Sequence, residues 1–146
     1  VGRATINRTY VGSRLAAVRK ALARLHTMRD GAGPEALADA DRYAIAEHHL
    51  RRLLECALDA ARHIVARDGT FKPGTYPELI EGLARLGAIP AGLAHRIEEL
   101  AEQRNRLVHL GPEITSEDLW SLMSGPIDCL QDFCKEIDDY LASKEP

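Results

Sequence analysis

The stretch Tyr43–Ala66, YAIAEHHLRRLLECALDAARHIVA, decides the fold. Tyr43, Ala46, Leu50, Leu53, Ala57, Ala60 and Ile64 recur at alternating steps of three and four, the spacing of one face of an α-helix. Leu54, Leu58, Ala61 and Val65 widen that seam into a core face. The periodicity predicts one long helix, Glu35 to Arg67, with Pro34 in its first turn, where a missing N–H is harmless. A second stripe runs along the opposite side: Arg52, Cys56, Asp59 and His63. A fully wetted face carries Glu and Lys. Cys, Asp and His there point to a partly covered surface, such as a subunit contact or a cleft, although Asp59 and His63 also have the spacing of a local i,i+4 pair.

Working outward, Val11, Leu15, Val18, Leu22 and Leu25 predict a first helix over Arg8–Met28, ended by the two glycines and proline of RDGAGPEA. His26 sits where a basic residue caps a helix C-terminus. Thr75 followed by Glu78 reads as a capping box opening a short helix to about Leu86, and Gly87 ends it. Pro90 opens the next helix, with Leu93, Ile97, Leu100, Ala101 and Leu107 on its core side. Gly111-Pro112 stops it near Val108–Leu110. Thr115 caps a last helix whose apolar face is Leu119, Leu122, Leu130, Phe133, Ile137 and Leu141. Gly125-Pro126 lies within that pattern and predicts a kink or short break. No segment alternates with the period of a strand, and no repeat or linker divides the chain. The expected fold is all-α, an up-and-down bundle of four main helices plus one short helix, in a single domain over residues 1–146 with a loose end at 1–7.

Composition narrows the class of function. The 146 residues suit one core, and 45% hydrophobic with 28% charged residues is ordinary for a globular protein. A net charge of -3 lacks the basic surplus of proteins that coat long nucleic acid, so any such contact must be local. Cys56, Cys129 and Cys134 make an odd set without CxxC spacing, neither a disulfide framework nor a zinc site. A reduced, cytoplasmic protein is expected. No apolar run approaches the ~18 residues of a membrane span, and no signal peptide is visible. His48 and His49 point about 100° apart and do not form a metal pair by themselves. His95 is expected on the surface.

One cluster carries chemistry. Within EELAEQRNRLVHLGPE (Glu98–Glu113), RNRLVH places Arg104, Asn105 and His109 where a helix is about to stop. Histidine titrates near neutrality and moves protons. Arginine holds a permanent charge suited to phosphate and to a phosphorane. Asn105 can position either or bond a ribose. These are the minimal parts for RNA cleavage without a metal, by attack of the 2′-OH to leave a 2′,3′-cyclic phosphate. No carboxylate cluster offers itself to Mg²⁺, and no cofactor is expected. Positions five apart differ by about 140° around a helix. Arg104 and His109 therefore converge only if the last turn loosens or if a two-fold dimer brings two copies together. The spacing alone is weak: with 15 arginines and six histidines, about half a match to Arg-x4-His is expected by chance. A basic residue answering the dipole at a helix C-terminus is the plain alternative.

RNRLVH resembles the Arg-x4-His signature of HEPN-domain proteins, and more narrowly the HepT toxins of HepT–MNT toxin–antitoxin pairs. The stretch Tyr43–Ala66 is similar to that family's second helix. TYPELIEGLARLGAIPAGLAHRIEELAEQRN resembles the segment leading into the signature, and DLWSLM with IDCLQDFCKEID fits its final helix. The resemblance covers roughly Ala44–Leu141. It implies an all-helical homodimer, a cleft on the two-fold axis, metal-independent ribonuclease activity on an RNA substrate, and an MNT-type nucleotidyltransferase antitoxin as partner. Arg104 and His109 carry over as catalytic residues and Asn105 as a supporting one. Asp59 matches an often polar position that would orient a cleft residue. The family pattern continues His-x-Tyr, and the partner modifies that tyrosine with AMP. Here Gly111 occupies the position, and none of Tyr10, Tyr43, Tyr76 and Tyr140 matches it. Other HEPN-like bundles serve as non-catalytic, substrate-binding accessory subunits of a minimal nucleotidyltransferase, the second function considered.

Overall fold

The computed structural model describes residues 5–69, 72–109 and 114–144, with 104–109 described by their helical backbone alone. Six α-helices make up the described fold: α1 (Arg8–Arg29), α2 (Ala40–Asp68), α3 (Tyr76–Arg85), α4 (Ala91–His109), α5 (Ser116–Met123) and α6 (Cys129–Ser143). Short 3-10 turns at Pro34–Ala38 and Pro126–Asp128 precede α2 and α6. No strand occurs among the described residues.

The long helix α2 is the hub. Leu50, Leu53, Ala57, Ala60 and Ile64 are buried along its seam, and Leu54, Leu58, Ala61 and Val65 are buried beside them. α1 packs along α2, and α3, α4 and α5 also touch it. α6 closes the ring by packing against both α1 and α4. Phe133, Leu15, Leu25, Leu50 and Leu100 are among the largest fully buried side chains, so every long helix contributes to one core.

Two expected boundaries shift, each for a local reason. The second helix does not start at Glu35. Asp39 takes extended backbone and its carboxylate accepts from the Arg42 N–H at 3.0 Å, capping α2 and separating it from the Pro34–Ala38 turn. Leu37 of that turn is buried. The final helix is divided at Gly125-Pro126 into α5 and α6, giving a second short helix beyond the four long ones and α3. Across this break Asp128 receives Arg29 at 3.4 Å and lies 2.6 Å from His26 Nε2. Arg29 also donates to the Met123 carbonyl at 3.0 Å. The end of α1 is thus fastened to the joint between α5 and α6, and the His26 ring serves that contact while its carbonyl accepts from the Asp30 N–H.

The other helix ends follow the sequence. The Asn7 side chain caps α1, and Thr115 caps α5. Ile6, within the stretch read as a loose end, is buried. Thr75 accepts from the Glu78 N–H at 3.2 Å, while the Glu78 carboxylate reaches the Gly74 N–H at 2.7 Å. α3 ends with Gly87 at φ +79°, where the Ala88 N–H bonds back to the Leu83 carbonyl and the Gly87 N–H to that of Ala84. A Cβ at Gly87 meets nothing within 4 Å, and neither does one at Gly12, inside α1. The two sites differ in backbone alone. Gly87→Ala is expected to cost about 1–2 kcal/mol from the left-handed conformation, while Gly12→Ala should gain about 0.5–1 kcal/mol of helix propensity. Urea denaturation of the two variants checks the opposite signs.

Candidate functional site

The signature lies between two fixed points. Upstream, Leu100 and Ala101 of α4 are buried in or against the core. Downstream, the Tyr43 hydroxyl donates to the Ile114 carbonyl at 2.5 Å, joining the first turn of α2 to the residue that precedes the α5 cap. Ser116 adds a bond from its hydroxyl to the Leu37 carbonyl at 3.2 Å. The α4 backbone is helical as far as His109, so all of Arg104–His109 lies on helix, while the expected stop at Gly111-Pro112 falls outside the described residues. The side chains of Arg104, Asn105 and His109, and that of the expected core residue Leu107, lie outside the described residues, as does Gly111. With the backbone helical through His109, positions 104 and 109 stand about 140° apart around the axis.

Asp59 is described in full. It sits two-thirds of the way along α2, half-exposed, with its carboxylate 3.2 Å from Arg62 and 3.9 Å from Arg14 of α1. Arg14 also lies over the Tyr10 ring, 5.5 Å from its centroid. The stripe read as opposite the core is therefore partly covered, and α1 of the same chain does the covering. Cys56 is a correction: it is fully buried, not on the polar side. It lies one turn from both Leu53 and Ala60, and α1 broadens the buried arc of α2 enough to include it; a thiol behaves there as a small apolar group. All three cysteines are buried and free. Burial pushes the Cys129 and Cys134 thiols up to about 11, so neither is a nucleophile near neutrality.

His63 accepts the Asn7 N–H through Nε2 at 2.8 Å, and its ring lies 5.1 Å from that of Tyr10. This bond needs the neutral imidazole. Desolvation first, and then the charge of Arg67, hold the ring below its ordinary pKa. Around the same helix, desolvation also lowers His49, helped by His48, Arg24 and Lys20. The rings of His48 and His49 are 5.4 Å apart, edge to face. His95 is exposed and pairs with Glu99 at 3.1 Å.

Sequence reasoning missed the group around Tyr43. A cleft of about 680 Å³ opens between the start of α2 and the segment leading into α5. Tyr43, Glu47, His48 and Arg51 line it from α2, and Ile114 and Thr115 from the other wall. By periodicity alone Tyr43 is one more residue of the α2 seam. The available signal was a phenol among alanines and leucines at the start of a helix, since a half-buried Tyr O–H seeks a partner.

The described fold is an all-helical domain, and similar solved structures share it. YutE from Bacillus subtilis, a cytosolic protein of unknown function, superposes with a TM-score of 0.83 at 20% identity, over 95% of this chain and 93% of that one. The tri-AMPylated Shewanella oneidensis HEPN toxin, in complex with MNT antitoxin, gives 0.78 at 18% identity over 89% and 97%. A toxin–antitoxin structure with AMP-PNP gives 0.79 at 18% over 90% and 99%. No curated protein matches. The family model described as ribonuclease HepT-like matches residues 18–137, and the chain belongs to that family. Among the described residues no helix is long and apolar enough to cross a membrane.

The His63 contact has a pH signature. The folded-state pKa lies below the unfolded value of about 6.5, so the contribution is fully present above that value and is lost as pH falls through the lower folded pKa. Hydrogen-exchange protection at the first turn of α1, taken relative to the intrinsic base-catalysed rate at each pH, should fall between pH 7.5 and pH 5. In His63→Gln, whose amide oxygen accepts at any pH, this loss of protection should disappear.

Proposed function

We propose that the chain is a metal-independent endoribonuclease toxin of the HepT type, acting at a cleft shared by two copies. The match of the HepT-like ribonuclease model across the whole RNRLVH segment carries this reading. In the proposed cleft, Arg104 grips the scissile phosphate and stabilises the charge that develops on it. One His109 takes the 2′-OH proton, the 2′ oxygen bonds to phosphorus, and the P–O5′ bond breaks. The second copy's equivalent histidine gives a proton to the leaving 5′ oxygen. The products are a 2′,3′-cyclic phosphate and a 5′-OH. Asn105 positions the ribose or the phosphate, and Asp59 orients a cleft residue.

The angular separation of positions 104 and 109 supports the paired arrangement. On one regular helix the two positions stand about 140° apart, whereas a two-fold axis can bring two copies of each to one phosphate. An MNT-type nucleotidyltransferase is the proposed partner, by analogy with the toxin–antitoxin complexes that share the fold. With Gly111 in place of the family tyrosine, control by that partner would not run through AMP transfer at this position.

Purified protein is expected to cleave RNA in EDTA and to leave cyclic-phosphate ends. His109→Ala should lower the rate at least about a hundredfold, and Arg104→Lys should lower it also, because an ammonium lacks the planar fork. Full activity in His109→Ala would sink the proposal. Nucleotide binding with no RNA cleavage by the wild type would favour an accessory subunit of a nucleotidyltransferase. Light scattering at micromolar concentration should give twice the mass of one chain, and a monomeric mass would remove the shared cleft.

A further inference from the structure

The cleft beside Tyr43 has a chemistry of its own. Among its described lining residues, Leu37, Ala40 and Ala44 contribute no polar side-chain atoms and Ile114 closes one wall, while Tyr43, Glu47, His48 and Arg51 make the lining more polar than apolar. Among the described lining residues the one guanidinium, Arg51, is matched by Glu47 at 2.5 Å, four residues earlier on the same helix. A bare phosphate would have to compete with that carboxylate, so the cleft is poorly made for an anion. It suits a flat, largely neutral group with polar edges. The exposed His48 ring and the guanidinium plane of Arg51 are the surfaces on which unpaired bases stack. Its volume of about 680 Å³ is within the range of small-ligand sites.

The position matters as much as the lining. Ile114 follows His109 by five residues, so the two Cα atoms are at most about 18 Å apart. A single strand engaged at the end of α4 spans that distance within a few nucleotides. The Tyr43–Ile114 bond holds the two walls of the cleft together. We infer that this cleft receives an unpaired base of a single-stranded RNA whose scissile phosphate lies at the end of α4, and so biases where the strand is cut. The choice of RNA as ligand rests on the ribonuclease reading; the cleft itself does not.

A fluorescent single-stranded oligonucleotide with every 2′-OH methylated separates binding from cleavage, because it cannot undergo 2′-attack. Ala44 is exposed on α2, so Ala44→Trp fills the cleft without touching the core. By fluorescence anisotropy, Ala44→Trp and Arg51→Ala should each weaken binding about tenfold, the loss expected for one stacked base. Mapped cleavage of unmodified RNA should then show a changed base preference near the cut in Ala44→Trp. Binding by both cleft variants equal to wild type overturns the inference. A wild type that binds the methylated strand, loses it in the cleft variants and cuts no RNA removes the ribonuclease reading and leaves the cleft as a single-strand site.

Discussion

The contact of α2 with α1 is the constraint on which the rest of the structure depends. Leu15, Val18, Leu22 and Leu25 of α1 and the Leu50–Ile64 seam of α2 are all buried. Alanines at positions 46, 57, 60 and 61 of α2 are buried with them, and small side chains let helices lie close. At roughly 1.5–3 kcal/mol for each large aliphatic side chain buried, this seam supplies a large share of the hydrophobic driving force. The remaining helices then take their places from α2. Its last turn meets α6 through Asp68, which accepts from the Tyr140 hydroxyl and pairs with Lys144 at 3.3 Å. Its first turn meets the α5 cap through Tyr43.

Much of this was legible in the sequence because helical periodicity and end signals are local. The 3.6-residue repeat placed α1 and the body of α2. The Thr75, Gly87, Pro90 and Thr115 signals set helix ends to within a residue or two. What was not legible depended on neighbours. Cys56 falls on the polar side by angle and is buried because α1 happens to cover that arc. Asp39 looks like one more polar residue in a helical run until its carboxylate is seen to cap Arg42. The break at Gly125-Pro126 was visible, but its partner was not, since His26 and Arg29 lie about a hundred residues from Asp128 along the chain.

The site divides in the same way. Arg104, Asn105 and His109 were legible as residue types whose chemistry fits RNA and as a pattern resembling HEPN proteins. Their backbone lies on α4, as the periodicity leading into the signature implies. The cleft around Tyr43 was not legible, because it joins residues some seventy positions apart through one hydroxyl. Asp59 stands out in the sequence by its place on a polar stripe. The structure adds the two arginines it engages, and one of them belongs to α1.

The closure of the bundle by its first and last helices also sets an order of events during synthesis. Arg8 donates to the Leu141 carbonyl at 2.7 Å, and Arg19 pairs with Asp138 at 2.5 Å, across separations of 133 and 119 residues. A growing chain forms the local α1–α2 pair early, but α1 lacks its second neighbour until α6 has left the ribosome. The segment 104–109 emerges before that moment. Whatever chemistry it carries therefore waits on the completion of a wall more than twenty residues downstream, so an interrupted chain would hold the signature without the finished scaffold around it.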